Sequence, residues 1–452
     1  MKKIITIISV STVGLLNAQL SPAITSWIQN LSGSTGSHYV NGNPTPIQDA
    51  TLANVQTVQY SAQWVYVGTK GIPAYPTGPF LDGNPSIAQP QNGYFKISLN
   101  PQQNLGTPTN TNGGNIGIFI NGVALFDYRD GVSWRASTNS LGGGPLGGMG
   151  DNIWNRDAIV AERAGFDCSK GHPAMGNYHH HQNPSAFNLD LDVISNVCDI
   201  YTADGLYVID STMHSPLIGY AYDGFPIYGA YGFKNTDGTG GIVRMRSSYS
   251  LRNITTRTTY ANGTDVTDGP PVSATYPLGL FREDYEYIAP SPNNPEFLDE
   301  HNGRNCFTPE YPNGTYAYFC TVDENWNSAY PYAVGPTFYG TKTASKVQNI
   351  AEAVTSYVQE PTALNQAIDE AKVVLYPNPA SEFLAVQIPF ATKQAWNVEL
   401  IDSKGAIVKY TSISEGRTIG YFDLRTMYSG TYLIRISSGK QEIVRKVLIE
   451  KE

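Results

Sequence analysis

The segment Gly314–Val322, GTYAYFCTV, alternates with a period of two: Tyr316, Tyr318 and Cys320 fall on one side, Ala317 and Phe319 on the other. Aromatic and β-branched residues in that pattern read as a strand with a buried face. Similar pieces recur in NGYFKISL (Asn92–Leu99), NIGIFINGVALFDY (Asn115–Tyr128) and GLYVIDST (Gly205–Thr212), separated by turn dipeptides. The expected fold is therefore mainly β, a β-rich domain with long loops over residues 19–345. Its size exceeds a typical single core, which leaves two lobes as an option.

Composition supports an exported β protein. Charged residues make up 15% of the chain, against a usual ~25%, while 44 Gly, 29 Pro and 30 Tyr favour short strands and many turns. The net charge of -9, with no cluster of Lys and Arg, argues against nucleic acid or an anionic membrane surface as partner. At the N-terminus, Lys2 and Lys3 precede an apolar run from Ile4 to Leu16 and a small residue, Ala18. This reads as a signal peptide, residues 1–18. Nothing in the sequence is long and apolar enough for a membrane span. Cys168, Cys198, Cys306 and Cys320 lack CxxC spacing, and outside the cytoplasm an even number implies disulfides. Three pairings are open; Cys168 with Cys198 and Cys306 with Cys320 are favoured.

Between residues 346 and 372, Val347, Ile350, Ala351, Val354, Tyr357 and Val358 recur at helical spacing until Pro361, which predicts a helical linker. From Val373 to Glu452 the pattern returns to short alternating strands of a small β-sandwich. This region resembles the type A C-terminal sorting domain of the type IX (Por) secretion system of Bacteroidetes. The likeness lies in VVLYPNPASEFLAV, VELIDSKGAIV, FDLRTMYSGTYLIRI and the ending VRKVLI. The resemblance implies an Ig-like sandwich, handling by the type IX machinery, removal of the domain, and a secreted or cell-surface product.

The chemistry concentrates in GHPAMGNYHHHQNP, Gly171–Pro184, which holds four of the seven histidines. On a strand, His179 and His181 point to one face with Cα atoms about 6 to 7 Å apart, while Tyr178 and His180 point to the other. Two imidazoles are too few for a metal site, so His172, behind a Pro-Ala-Met-Gly turn, and His214 complete the expected ligand set. His301 is a further candidate to return to the site, and His38 stands alone. An imidazole-rich site suits copper or zinc rather than calcium or magnesium. Met175 and Met213 near the histidines, the high place of copper in the affinity order and the exposed location put copper ahead of zinc. A hydrogen-bonded layer of histidines and tyrosines is the competing structural account.

These segments are similar to the YHYH-domain family, named for a Tyr-His-Tyr-His motif that fits positions 178–181. The likeness is carried by AGFDCSKGHPAMGNYHHH, HSPLIGYAYDGFPIYGAYG, LDEHNGRNCFTPEYPNGTYAYF and YPYAVGPTFYG, over roughly residues 115–340. The third motif position departs, with His180 in place of Tyr. By alternation this alters the tyrosine face and leaves His179 and His181 in place. The resemblance implies no activity, because the family's domain is one of unknown function.

Tyr178 and Asp223 are candidates to support the ligands from behind, although Asp223, before Gly224, equally braces a tight turn. Asp167 and Asp210 share that ambiguity. GxSxG and HExxH are absent, so a hydrolase or oxidase would have to be metal-dependent. From another class, a carbohydrate-binding or adhesive role rests on Trp134, Trp154 and Trp326 as stacking platforms for an extracellular polysaccharide.

Overall fold

The computed structural model describes residues 20–83, 86–190, 195–359, 372–389, 394–414, 417–439 and 441–451. The signal peptide expected over residues 1–18 and residues 360–371 of the expected linker lie outside the described residues.

Paired strands of the aromatic patches build an eight-stranded sheet. In chain order these are β1 (Asn115–Phe119), β2 (Ala124–Phe126), β3 (His172–Ala174), β4 (Asn177–His180), β5 (Leu217–Ala221), β6 (Pro226–Tyr228), β7 (Gly303–Cys306) and β8 (Thr315–Phe319). Their order across the sheet is β3-β4-β2-β1-β5-β6-β8-β7. The β4/β2 and β6/β8 pairs are parallel and the others antiparallel. A five-stranded sheet that includes Val55–Tyr60, Trp64–Thr69 and Tyr94–Ser98 shares its core. Val58, Val67 and Ile97 from that sheet join Ile118, Ile218, Tyr220 and Tyr318 in one cluster. The two sheets thus share one main core, beside which Trp134, Trp154, Leu280 and Phe281 form a separate smaller cluster. Tyr316 to Phe319 on β8 are buried on both faces. The hydroxyls of Tyr316 and Tyr318 are accommodated by donating to Asp299 (2.9 Å) and Asp223 (2.5 Å).

Three expectations meet the structure differently. Cys168 and Cys198 form a disulfide with Cα atoms 5.2 Å apart. Cys306 and Cys320, in contrast, are free and buried. The β7/β8 register explains the difference: Cys306 faces Thr315 and Gly303 faces Tyr318, which places Cys320 at the level of His301. Five residues of strand, ~17 Å, separate the two thiols, well beyond the ~7 Å Cα limit for a bridge. The helical linker is also corrected. Within 345–359 the chain forms Ser345–Val347, paired to Tyr94–Ser98, and Thr355–Tyr357, paired to Val55–Tyr60. These segments cap both edges of the five-stranded sheet, whose backbone groups a helix would leave unpaired.

The C-terminal region forms β9 (Val374–Tyr376), β10 (Phe383–Gln387), β11 (Trp396–Ile401), β12 (Ile407–Ile413), β13 (Ile419–Asp423), β14 (Gly430–Ser438) and β15 (Gln441–Ile449). Sheets β9-β10-β13 and β12-β11-β14-β15 enclose a core of Leu384, Val386, Val398, Phe422, Ile434 and Val447. This is the expected Ig-like sandwich.

Thiol counting tests the cysteine assignment. The denatured, unreduced protein should take up two alkylating groups, at Cys306 and Cys320, and four after reduction, read by peptide mass spectrometry. Replacing Cys168 with Ala, which opens the loop to Cys198, should cost about 3 to 4 kcal/mol of stability.

Candidate metal centre

β3 and β4 form a hairpin whose two-residue connection is Met175 and Gly176, with φ of 48° and 85°. Positive φ at both positions is the signature of the tight turn that matches strand twist. Its register sets His172 opposite His179 and Pro173 opposite Tyr178. His172 and His179 therefore share a face, and His181, two residues on, returns to it. The three imidazoles converge: His179 Nε2 lies 3.0 Å from His181 Nε2, and His172 Nε2 lies 3.2 Å from the same atom. One nitrogen from each of these buried residues lies within 4.8 Å of the others, a cluster able to hold a metal ion.

Hydrogen bonds behind the cluster fix its protonation. His179 Nδ1 is 2.7 Å from the Asn177 carbonyl oxygen, and His181 Nδ1 is 2.6 Å from that of Asp127. Carbonyl oxygens only accept, so both Nδ1 atoms carry the proton and both Nε2 atoms present bare lone pairs. Burial, then the neighbouring imidazoles, hold His172 and His179 well below the usual histidine range. Burial likewise lowers His181 to about 4. The 3.0 Å contact thus sets two acceptors against each other, with no proton between them. Phe126 stacks on His179 at 3.7 Å between ring centres, and Phe166 meets His172 edge-on at 4.8 Å. The remaining polar group is Glu162, which follows the short helix α1 (Ala158–Ala161). Its Oε2 is 3.5 Å from His172 Nε2 and 3.8 Å from His181 Nε2. Burial, followed by nearby Asp130, pushes its carboxyl up to about 8.

The opposite face of β4 carries different chemistry. His180 Nε2 pairs with the Tyr75 hydroxyl at 2.9 Å and its Nδ1 with the Lys170 carbonyl oxygen at 3.1 Å. Tyr178 does not back the imidazoles: its hydroxyl donates to Asp167, which also accepts from the backbone of Gly78, Ser169 and Gly171. Tyr178 and Asp167 thereby shape the loop that delivers His172. That loop needs glycine at 171, because a Cβ there would lie 2.3 Å from the Tyr178 hydroxyl.

Other expected site residues lie elsewhere. His214 is across the sheet, packed on Tyr228, Phe233 and Phe319, with its Nδ1 on the Ser215 carbonyl oxygen. His301 bonds Thr337, and His38 pairs with Asp49. Asp223 braces its turn, accepting from Phe225 N, Gly340 N and the Tyr318 hydroxyl. Asp210 accepts from Thr212 in an exposed turn. Met175 is 98% exposed at the hairpin tip, which removes the nearer thioether that put copper first. Trp134, Trp154 and Trp326 are at most 5% exposed and supply core, so none of them is a sugar platform. Glu162, Phe126, Phe166 and the Asp127 carbonyl were not foreseen. Phe126 and Asp127 lay in NIGIFINGVALFDY and Phe166 in AGFDCSKGHPAMGNYHHH, segments already marked, whereas Glu162 lay in none.

Three buried, converging imidazoles on one hairpin, in a β domain followed by an Ig-like sandwich, define a two-domain β protein with a histidine triad. Residues 94–331, more than half of the chain, match the family described as YHYH protein, and the chain belongs to that family. Residues 374–450 match the secretion system C-terminal sorting domain. That tail marks the protein for export, to be secreted or attached at the cell surface. A search of the curated proteins finds no match.

The placement of Asp223 predicts a pH dependence. Burial raises its carboxyl to about 6 in the folded state, above the unfolded value of ~3.9. Its contribution is complete below the unfolded value and is lost as pH rises through about 6. Urea unfolding at several pH values should show the stability of the native protein over Asp223→Asn growing by about 1 kcal/mol per unit as pH falls from 6 to 4.5. A gap that stays constant with pH would contradict the assignment.

Proposed function

We propose that the protein binds a divalent first-row transition ion outside the cytoplasm, through the Nε2 atoms of His172, His179 and His181. One observation carries this reading: the 3.0 Å contact between two Nε2 atoms whose imidazoles have committed their protons elsewhere. A cation between them turns that repulsion into bonding. Metal bonds of ~2.0 to 2.1 Å to atoms 3.0 and 3.2 Å apart subtend roughly 95 to 105° at His181 with each of its two partners, angles that a tetrahedral ion accepts. The backbone carbonyls of Asn177 and Asp127 then orient the ligands, as second partners of metal-bound histidines do.

Glu162 is the fourth donor in this reading. Three imidazoles and a carboxylate form a donor set that zinc uses. Copper keeps only its place in the affinity order, because Met175 turns away. His214 is left out, since its ring is enclosed by Tyr228, Phe233 and Phe319. Such an ion supplies Lewis acidity, while this chain supplies neutral imidazoles, apolar walls and a carboxylate beside the opening.

Metal content by mass spectrometry on the full chain, prepared without a polyhistidine tag, tests the reading. The native protein should retain about one equivalent of zinc or copper after loading and desalting, and His181→Ala should retain none. Glu162→Gln should weaken retention by about 10- to 100-fold, a loss comparable to that of a supporting ligand partner. Native protein that stays metal-free after exposure to both ions would make the triad an ordinary part of the core.

A further inference from the structure

The sheet β9-β10-β13 of the sorting domain is apolar on both faces. Leu384, Val386 and Phe422 point into the domain's own core, as alternation requires. Their neighbours Ala385, Ile419, Phe383 and Tyr421 point outward, where an antiparallel sandwich ordinarily shows polar residues to water. That outer face is covered. Ala385 is fully buried and Ile419 is 2% exposed, in one cluster with Phe187, Val197, Tyr201 and Val208 of the larger domain.

Directed contacts fix the fit. The Tyr421 hydroxyl donates to the Asp204 carbonyl oxygen at 3.0 Å, and Val208 N donates to Gln387 Oε1 at 2.9 Å. Arg417 forms an ion pair with the largely buried Asp204. Tyr376 packs on Trp326 with ring centres 4.7 Å apart. The partner surface lies in and just beyond the loop closed by Cys168–Cys198, so the disulfide holds it in shape. An aromatic centre with several hydrogen bonds and a shielded charge pair has the anatomy of a stable interface.

We propose that this surface is a docking site for the sorting domain itself, strong enough that cutting the chain between Gln359 and Lys372 leaves the domain bound as a noncovalent subunit. Release then requires a second event that competes for the outer face of β9-β10-β13. The inference is independent of the metal reading, because no imidazole of the triad takes part in these contacts.

The test is a full-length protein with a specific protease site inserted between Gln359 and Lys372, cut after purification and passed over a sizing column at micromolar concentration. The two pieces should elute together. The pair Tyr421→Ala and Gln387→Ala lies on the outer face and leaves Leu384, Val386 and Phe422 in place. It should weaken association by more than about tenfold, enough to separate the pieces. Asp204→Ala removes the ion pair with Arg417 and so tests the same interface from the other domain, which guards against misfolding of either variant. Separation of the unsubstituted pieces on cutting overturns the proposal, and so does co-elution that persists in both variants.

Discussion

Burial of both faces of one short strand, Asn177–His180, sets the terms for everything around it. A strand in that position must satisfy each polar side chain inside the protein, because water is excluded on both sides. On one face this is achieved with hydrogen bonds: Tyr178 to Asp167, and His180 between Tyr75 and the Lys170 carbonyl. On the other face the inner nitrogens of His179 and His181 meet one another, His172 and, 3.8 Å from His181, the Glu162 carboxyl. The unequal solutions set a hydrogen-bonded layer on one side of the strand and the imidazole triad on the other.

Of the two accounts weighed for the histidine run, the hydrogen-bonded layer is realised on one side of the strand, and the other side carries the converging triad. Position 180, where the family motif has tyrosine, falls on the hydrogen-bonded side. There a histidine performs a tyrosine-like task, filling space against Phe119 and linking the Tyr75 hydroxyl to a backbone carbonyl. Burial lowers its basicity to about 3, so it contributes no charge beside the triad. The departure from the motif is absorbed where polarity is needed and ligation is not.

What was legible in the sequence followed from period and local geometry. Alternation places His179 with His181, and the Met175-Gly176 turn returns His172 to the same face. Strand class, the sandwich and the disulfide of the Cys168–Cys198 loop also follow from local pattern. What was not legible depends on register between distant segments. Nothing near Cys306 and Cys320 reveals that β7 and β8 pair with five residues between the thiols. The helical spacing of residues 347–358 is real, yet two unpaired sheet edges outweigh it. Glu162 is invisible for the same reason: it belongs to the site only because a one-turn helix ends beside a hairpin that begins ten residues later.

Enclosure limits what the triad can do. Phe126 and Phe166 wall two of its sides, the hairpin backbone closes another, and Glu162, with its side chain 19% exposed, stands at the partly open edge. A catalytic metal needs a position where substrate replaces water, whereas a structural or storage site is closed by protein donors. With Glu162 within 4 Å of two ligand nitrogens, the arrangement favours closure. A bound ion would join β3, β4 and the end of α1, three segments otherwise linked by one hairpin and a loop.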